Sequence, residues 1–180
     1  MVSSSAFRSR SRGLAGVAAL LLTAVAPAGA ARADTAPAAG VVVCTTTSTW
    51  TYSPGVVLVP RPVSTHVHDE YTSCASPTGV TGGSSSFTVE RDAGCLEPVA
   101  AVAETRVIAW DNGRTSTFSY TVTVSSAPGF DLVTKTGTIT EGEFAGHVAQ
   151  ATQAAPTLDL LQCLGQGVQR QTALGTFVIV

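Results

Sequence analysis

Ile108-Ala109-Trp110-Asp111-Asn112-Gly113-Arg114-Thr115-Ser116-Thr117-Phe118-Ser119-Tyr120-Thr121-Val122-Thr123-Val124 reads as two strands around a tight turn. In its second half Phe118, Tyr120, Val122 and Val124 fall on one face, and Thr117, Ser119, Thr121 and Thr123 on the other. That period of two belongs to a strand with one buried face. Asp111-Asn112-Gly113 is the turn, and side-chain parity sets its length. A two-residue turn at Asn112-Gly113 pairs Trp110 with Thr115 and puts Ile108 and Trp110 opposite the aromatic face. A three-residue loop pairs Trp110 with Arg114 and Ile108 with Ser116, so all the even-numbered apolar residues share a face. The spacing therefore predicts the three-residue loop, with Gly113 in the left-handed conformation of a G1 bulge. This register leaves Arg106 on the buried face, its least comfortable feature.

The same grammar extends in both directions. Thr, Ser and Val dominate from residue 41 onward, and branching at the β carbon suits Thr and Val to a pleated strand. Strands are expected near residues 43–52, 65–73, 84–90, 104–110, 115–124, 131–140, 145–152 and 171–180. Ser53-Pro54-Gly55, Pro60, Pro62, Pro77-Thr78-Gly79, Gly82-Gly83 and Pro128-Gly129 punctuate them. Two short exceptions are expected: a helical turn within 97–104, and a helix opening at 157–161 with Thr157 as its N-cap. The fold class implied is all-β, an antiparallel immunoglobulin-like β-sandwich of about eight strands.

The first thirty-odd residues of the chain differ in kind. Arg8, Arg10 and Arg12 precede an apolar run over 13–25, which ends in small residues at Ala28-Gly29-Ala30 and Ala31-Arg32-Ala33. This is the pattern of a secretory signal peptide, and it predicts three segments: a signal over 1–33, a flexible Ala- and Pro-rich leader over 34–40, and the β domain over 41–180. Cleavage after Ala33 removes four of the ten basic residues and none of the twelve acidic ones, leaving a net charge of −6. Lys135 is the one lysine. A surface so poor in positive charge offers no footprint for nucleic acid or for an anionic membrane. The apolar run is short for a membrane span, Ser11 separates the arginines that a twin-arginine signal needs adjacent, and the first cysteine, Cys44, is far from a lipoprotein position. Release as a secreted, extracellular protein is the expectation.

Four cysteines in an exported chain, Cys44, Cys74, Cys95 and Cys163, read as two disulfides. Three connectivities are possible. A hairpin between the first two strands favours Cys44 with Cys74, which leaves Cys95 with Cys163. No C-x-x-C pair exists to suggest a structural metal.

Candidate chemistry is sparse. His66-Val67-His68 would project two imidazoles to one strand face, with Glu70 next in line and His147 as a possible third ligand, the start of a metal site. Val67 and Tyr71 look core-facing, however, which turns His66, His68 and Glu70 to solvent. The paired carboxylates Asp69-Glu70 and Glu141 with Glu143 have no aromatic cleft around them of the kind a glycosidase requires. Trp50, Tyr52 and Trp110 could form a small sugar-stacking platform or belong to the core. There is no G-x-S-x-G elbow and no phosphate-binding glycine loop. No catalytic residue, metal ligand or cofactor is expected.

Several stretches resemble a group of small secreted actinobacterial proteins. They are Cys44 with its Thr-rich strand, Thr51-Tyr52-Ser53-Pro54-Gly55, Tyr71-Thr72-Ser73-Cys74, Trp110-Asp111-Asn112-Gly113-Arg114-Thr115-Ser116-Thr117, Thr136-Gly137-Thr138-Ile139 with Gly142, Phe144 and Gly146, and Leu160-Leu161-Gln162-Cys163-Leu164. The resemblance spans nearly the whole β domain and implies a secreted β-sandwich, with no catalytic residue to carry over. Subtilisin inhibitors and neocarzinostatin-like proteins are similar in size, compartment and cysteine number only. The function expected is a non-enzymatic extracellular module for a surface, a glycan or a protein. A secreted proteinase inhibitor, with its reactive loop beside Cys74 or Cys95, is the alternative, and a small metalloprotein or hydrolase using His66 and His68 is the third reading.

Overall fold

A computed structural model describes residues 42–96 and 101–180. The signal peptide expected over 1–33 and the leader over 34–40 lie outside these residues, as does the first part of the helical turn expected over 97–104. Eight strands form: β1 (Val42–Val56), β2 (Arg61–Ala75), β3 (Gly83–Ala93), β4 (Val102–Trp110), β5 (Thr115–Ala127), β6 (Phe130–Gly142), β7 (Val148–Pro156) and β8 (Val168–Ile179). Each expected strand is present, and most run longer than the sequence pattern suggests. Residues 102–104, expected to be helical, are already strand. The one helix among the described residues, α1 (Leu160–Leu164), is capped not by Thr157 but by Asp159, whose carboxylate accepts the Leu161 N–H at 2.8 Å.

The β4–β5 hairpin has the loop that parity demands. Ile108 lies opposite Ser116 and Ala109 opposite Thr115, the Gly113 N–H donates to the Trp110 carbonyl, and Gly113 has φ +80°.

The sandwich expectation is overturned. Every strand pairs antiparallel with its sequence neighbours, and β1 pairs with β8 as well as β2, so the eight strands close into an up-and-down barrel. Alternation cannot separate the two architectures, because one buried face per strand serves both. Curvature separates them. An ideal Cβ on Gly137 of β6 would sit 1.9 Å from the Ser119 carbonyl oxygen, and one on Gly175 of β8 equally close to that of Thr152. Only glycine lets these strands bend so tightly onto their neighbours. Small inward residues on β7 and β8, Ala149, Ala151, Ala155 and Ala173, leave space that larger side chains from the other strands fill.

At one end the interior is apolar. Tyr71, Trp110, Phe118 and Phe177 meet in edge-on and tilted contacts at 5.1–5.6 Å, and Ile108, Ile139 and Ile179 pack around them. Outside, Thr123, Thr134, Thr152, Thr176, Thr45 and Thr72 stand directly opposite one another in a rank across six strands. Cys44 bonds Cys74 and Cys95 bonds Cys163, the connectivity that the hairpin favours. The first bridge ties β1 to β2, and the second ties the segment after β3 to α1.

Candidate functional site

The polar interior and the junction between β3 and β4 hold most of the unusual chemistry. On β2, Val67, Asp69 and Tyr71 face inward, so Asp69 is 1% exposed although its neighbour Glu70 points into solvent. Asp69 accepts a hydrogen bond from the Ser48 hydroxyl, pairs with the Arg106 guanidinium, and takes a longer contact of 3.4 Å from Lys135 Nζ. Gln153 Nε2 donates to Ser48 Oγ at 2.6 Å and to Thr46 Oγ1 at 3.1 Å. Its Oε1 is buried without a partner among the described residues.

Arg106, the awkward residue of the sequence register, is the hub. Its Nε donates to Tyr120 OH at 2.8 Å, and its guanidinium lies 4.7 Å from the Phe87 ring centre and 4.8 Å from that of Tyr120. Tyr120 OH donates onward to Glu104 Oε2 at 2.7 Å, and Glu104 Oε1 accepts from Arg91 Nη2 at 2.7 Å. A continuous polar chain thus runs from Gln153 across the interior to Arg91 on β3.

Burial sets the protonation of this chain. It pulls the Lys135 ammonium well below the usual lysine range; Arg106 pushes the same way, and Glu104 opposes. Burial also raises the Tyr120 phenol, which therefore stays a hydrogen-bond donor at neutral pH. Desolvation lowers Arg106 from a very high starting value, which Tyr120 partly restores. Charge is held here in pairs, with one lysine whose hydrogen-bond partner among the described residues is Asp69.

The β3–β4 junction is where this chain reaches the surface. Among the described residues, Gly83 with Trp110 and Ser84 with Ala109 are the pairs across it. Asp111 clamps its closed end: the Asp111 N–H donates to Gly82 O at 3.0 Å, and the carboxylate accepts the N–H and hydroxyl of Thr81. Below these pairs the inward residues of β3, Phe87, Val89 and Arg91, are half-buried.

The residues singled out by sequence lie elsewhere. His66 and His68 are on the outer face of β2, as their parity with Val67 and Tyr71 requires. His66 contacts Ser86 Oγ at 3.2 Å and Thr88 Oγ1 at 3.3 Å, and His68 lies 3.6 Å from Glu70. His147 is on the β6–β7 connection, whose strands do not neighbour β2. Among the described residues no group of three His, Cys, Asp or Glu side chains converges as metal ligands would. Asp69 and Glu70 point to opposite faces and form no catalytic pair. Glu143 binds Arg114 at 2.5 Å, and Glu141 reaches the Thr117 hydroxyl at 3.5 Å.

The sugar platform does not assemble. Trp110 is core, donating its indole N–H to Ser116 Oγ at 2.8 Å, and Trp50 is half-buried against the same core. Tyr52 is pushed up to about 12 by burial and donates to Gln171 Oε1 at 3.0 Å. What the sequence reading missed is Asp69, and the signal was available: it shares the parity of Val67 and Tyr71.

The chain matches no protein-family model, no curated protein and no solved structure. Two disulfides are compatible with an extracellular location, and no helix among the described residues is long and apolar enough to cross a membrane.

Proposed function

We propose that this chain is an exported, non-enzymatic module that binds another extracellular protein through one end of its barrel. The observation that carries this reading is a concentration of exposed apolar side chains around the Cys95–Cys163 bridge. Val59, Leu96, Leu161 and Leu164 are each at least two-thirds exposed, and Leu160 is half exposed. The bridge holds α1 beside residues 95–96, and the Cys95 N–H donates to the Val57 carbonyl at 3.0 Å, fixing the 57–60 turn next to them. Apolar groups gathered on a disulfide-held end are a protein-contact feature rather than scattered surface leucines.

Export is supported by the basic, apolar and small-residue order of the N-terminus, by the two bridges, and by the resemblance to small secreted actinobacterial proteins. The threonine rank outside favours a wall in water over the apolar band of a lipid-facing barrel. The test is retention of a partner from culture supernatant on the immobilised protein. A Leu161→Asp, Leu164→Asp double variant should retain about tenfold less. Equal retention by a folded double variant overturns the assignment of the surface.

A second reading, proteinase inhibition, is favoured by Leu96, which is exposed directly beside the bridged Cys95 as a reactive-loop residue would be. Incubation with an equimolar amount of subtilisin tests it, and an unchanged protease rate removes it.

A further inference from the structure

We propose that the slot between β3 and β4 receives an extended segment of another polypeptide as an added strand. This inference does not depend on the function proposed for the apolar end. Strand β3 is paired along its whole length with β2, from Gly83 to Ala93, and β4 from Val102 to Ala109 with β5. On the sides that face each other, the described residues pair only at Gly83 with Trp110 and Ser84 with Ala109. Among the described residues, these two facing edges therefore have no backbone ladder between them beyond those two pairs. The backbone groups of such an edge bind another strand's backbone without regard to its sequence, and alternate side-chain pockets then select among sequences.

The walls define the occupant. Inward, the half-buried Phe87 and Val89 of β3 and Val102 of β4 alternate with Arg91, Glu104 and Arg106, so apolar side chains of the incoming strand find partly formed pockets beside the first three. Outward, β3 presents Thr88, Glu90 and Asp92, all exposed. A strand carrying lysine or arginine at its outward positions meets opposite charge across the ladder, whereas a second copy of β3 brings like charge against like. The partner is thus a polypeptide segment alternating apolar and basic residues rather than another copy of this chain. Arg91 and Glu104, 2.7 Å apart, reach across the gap between β3 and β4 and act as a latch that the incoming strand displaces.

Hydrogen exchange on the intact protein tests this, with a capped hexapeptide alternating valine and lysine as the probe. Amides of residues 86–93 and 102–107 should exchange about tenfold faster than those of β1 and β8, and saturating peptide should slow them about fivefold or more. The same peptide N-methylated at every second residue, which cannot donate along one edge, should have no effect. Glu104→Gln, which weakens the latch, should tighten peptide binding about threefold or more. The proposal is overturned if these amides are as protected as those of β1 before peptide is added, or if about 1 mM peptide leaves them unchanged. It is equally overturned if the N-methylated peptide works as well. The two peptides on unsubstituted protein decide the matter even where Glu104→Gln fails to fold.

Discussion

Two junctions of the barrel carry opposite duties. Strand β1 meets β8 along nearly its full length, from Val42 with Ile179 to Thr51 with Arg170, although these residues lie more than a hundred positions apart in the chain. Among the described residues strand β3 meets β4 at two pairs, although they are sequence neighbours. Closure therefore rests on the long-range junction, and the local one is left partly open with a charged chain behind it. The usual expectation, that neighbouring strands pair well and distant ones poorly, is reversed. Inward residues explain the contrast. Along β1 and β8, Thr46 faces Gly175 and Ser48 faces Ala173, small groups that let two backbones curve together. Across β3 and β4 the inward groups include Phe87, Arg91, Glu104 and Arg106, which are too large and too polar to be pressed into a continuous wall.

The most damaging way to break this comparison is at the closure. Gly175→Val drives a side chain into the Thr152 carbonyl and should cost roughly 4 kcal/mol or more, read as a loss of the urea midpoint, with Gly137→Val close behind. Asp69→Ala comes next. It leaves Arg106 and Lys135 buried without their carboxylate, and a loss of about 3–5 kcal/mol is expected in the same assay. A loss below about 1 kcal/mol would show that the interior pairs are not held as described.

Lys135→Met has a smaller effect of opposite sign. The folded-state pKa of Lys135 lies below its unfolded value, so the unfolded chain binds the proton more readily and the charged lysine opposes folding. The variant should therefore be more stable by about 1–2 kcal/mol at neutral pH. Its advantage should shrink as pH rises from the lowered folded pKa towards the ordinary lysine value near ~10.4, and a gain that is flat across that window removes the explanation. The smallest effect sharpens the local junction alone. Bonds from Thr81 hold the Asp111 carboxyl below the usual carboxylate range, so its clamp is present above the ordinary aspartate pKa and is lost as pH falls through the depressed one. Asp111→Ala should speed amide exchange in residues 86–93 and leave β1 and β8 unchanged.

Much of this was legible in residues close in sequence. Parity around Asp111-Asn112-Gly113 located the G1 bulge and put Arg106 inside, and the first hairpin favoured the Cys44–Cys74 bridge. Closure was not legible from alternation, because a sandwich and a barrel ask the same period of each strand. Its traces were isolated glycines, Gly137 and Gly175, within otherwise regular strand patterns, and connections short enough for every strand to turn back on its neighbour. The interior network was half legible. Arg106 was placed on the buried face without a partner, while Asp69, its partner across the barrel, was read with Glu70 only as a pair of carboxylates.

The one lysine of the chain stands inside the wall, 4% exposed, while hydroxyl side chains occupy much of the exterior. In the folded state, acylating reagents aimed at primary amines therefore find this lysine shielded. An acyl adduct at Lys135 then counts the molecules whose interior has been laid open.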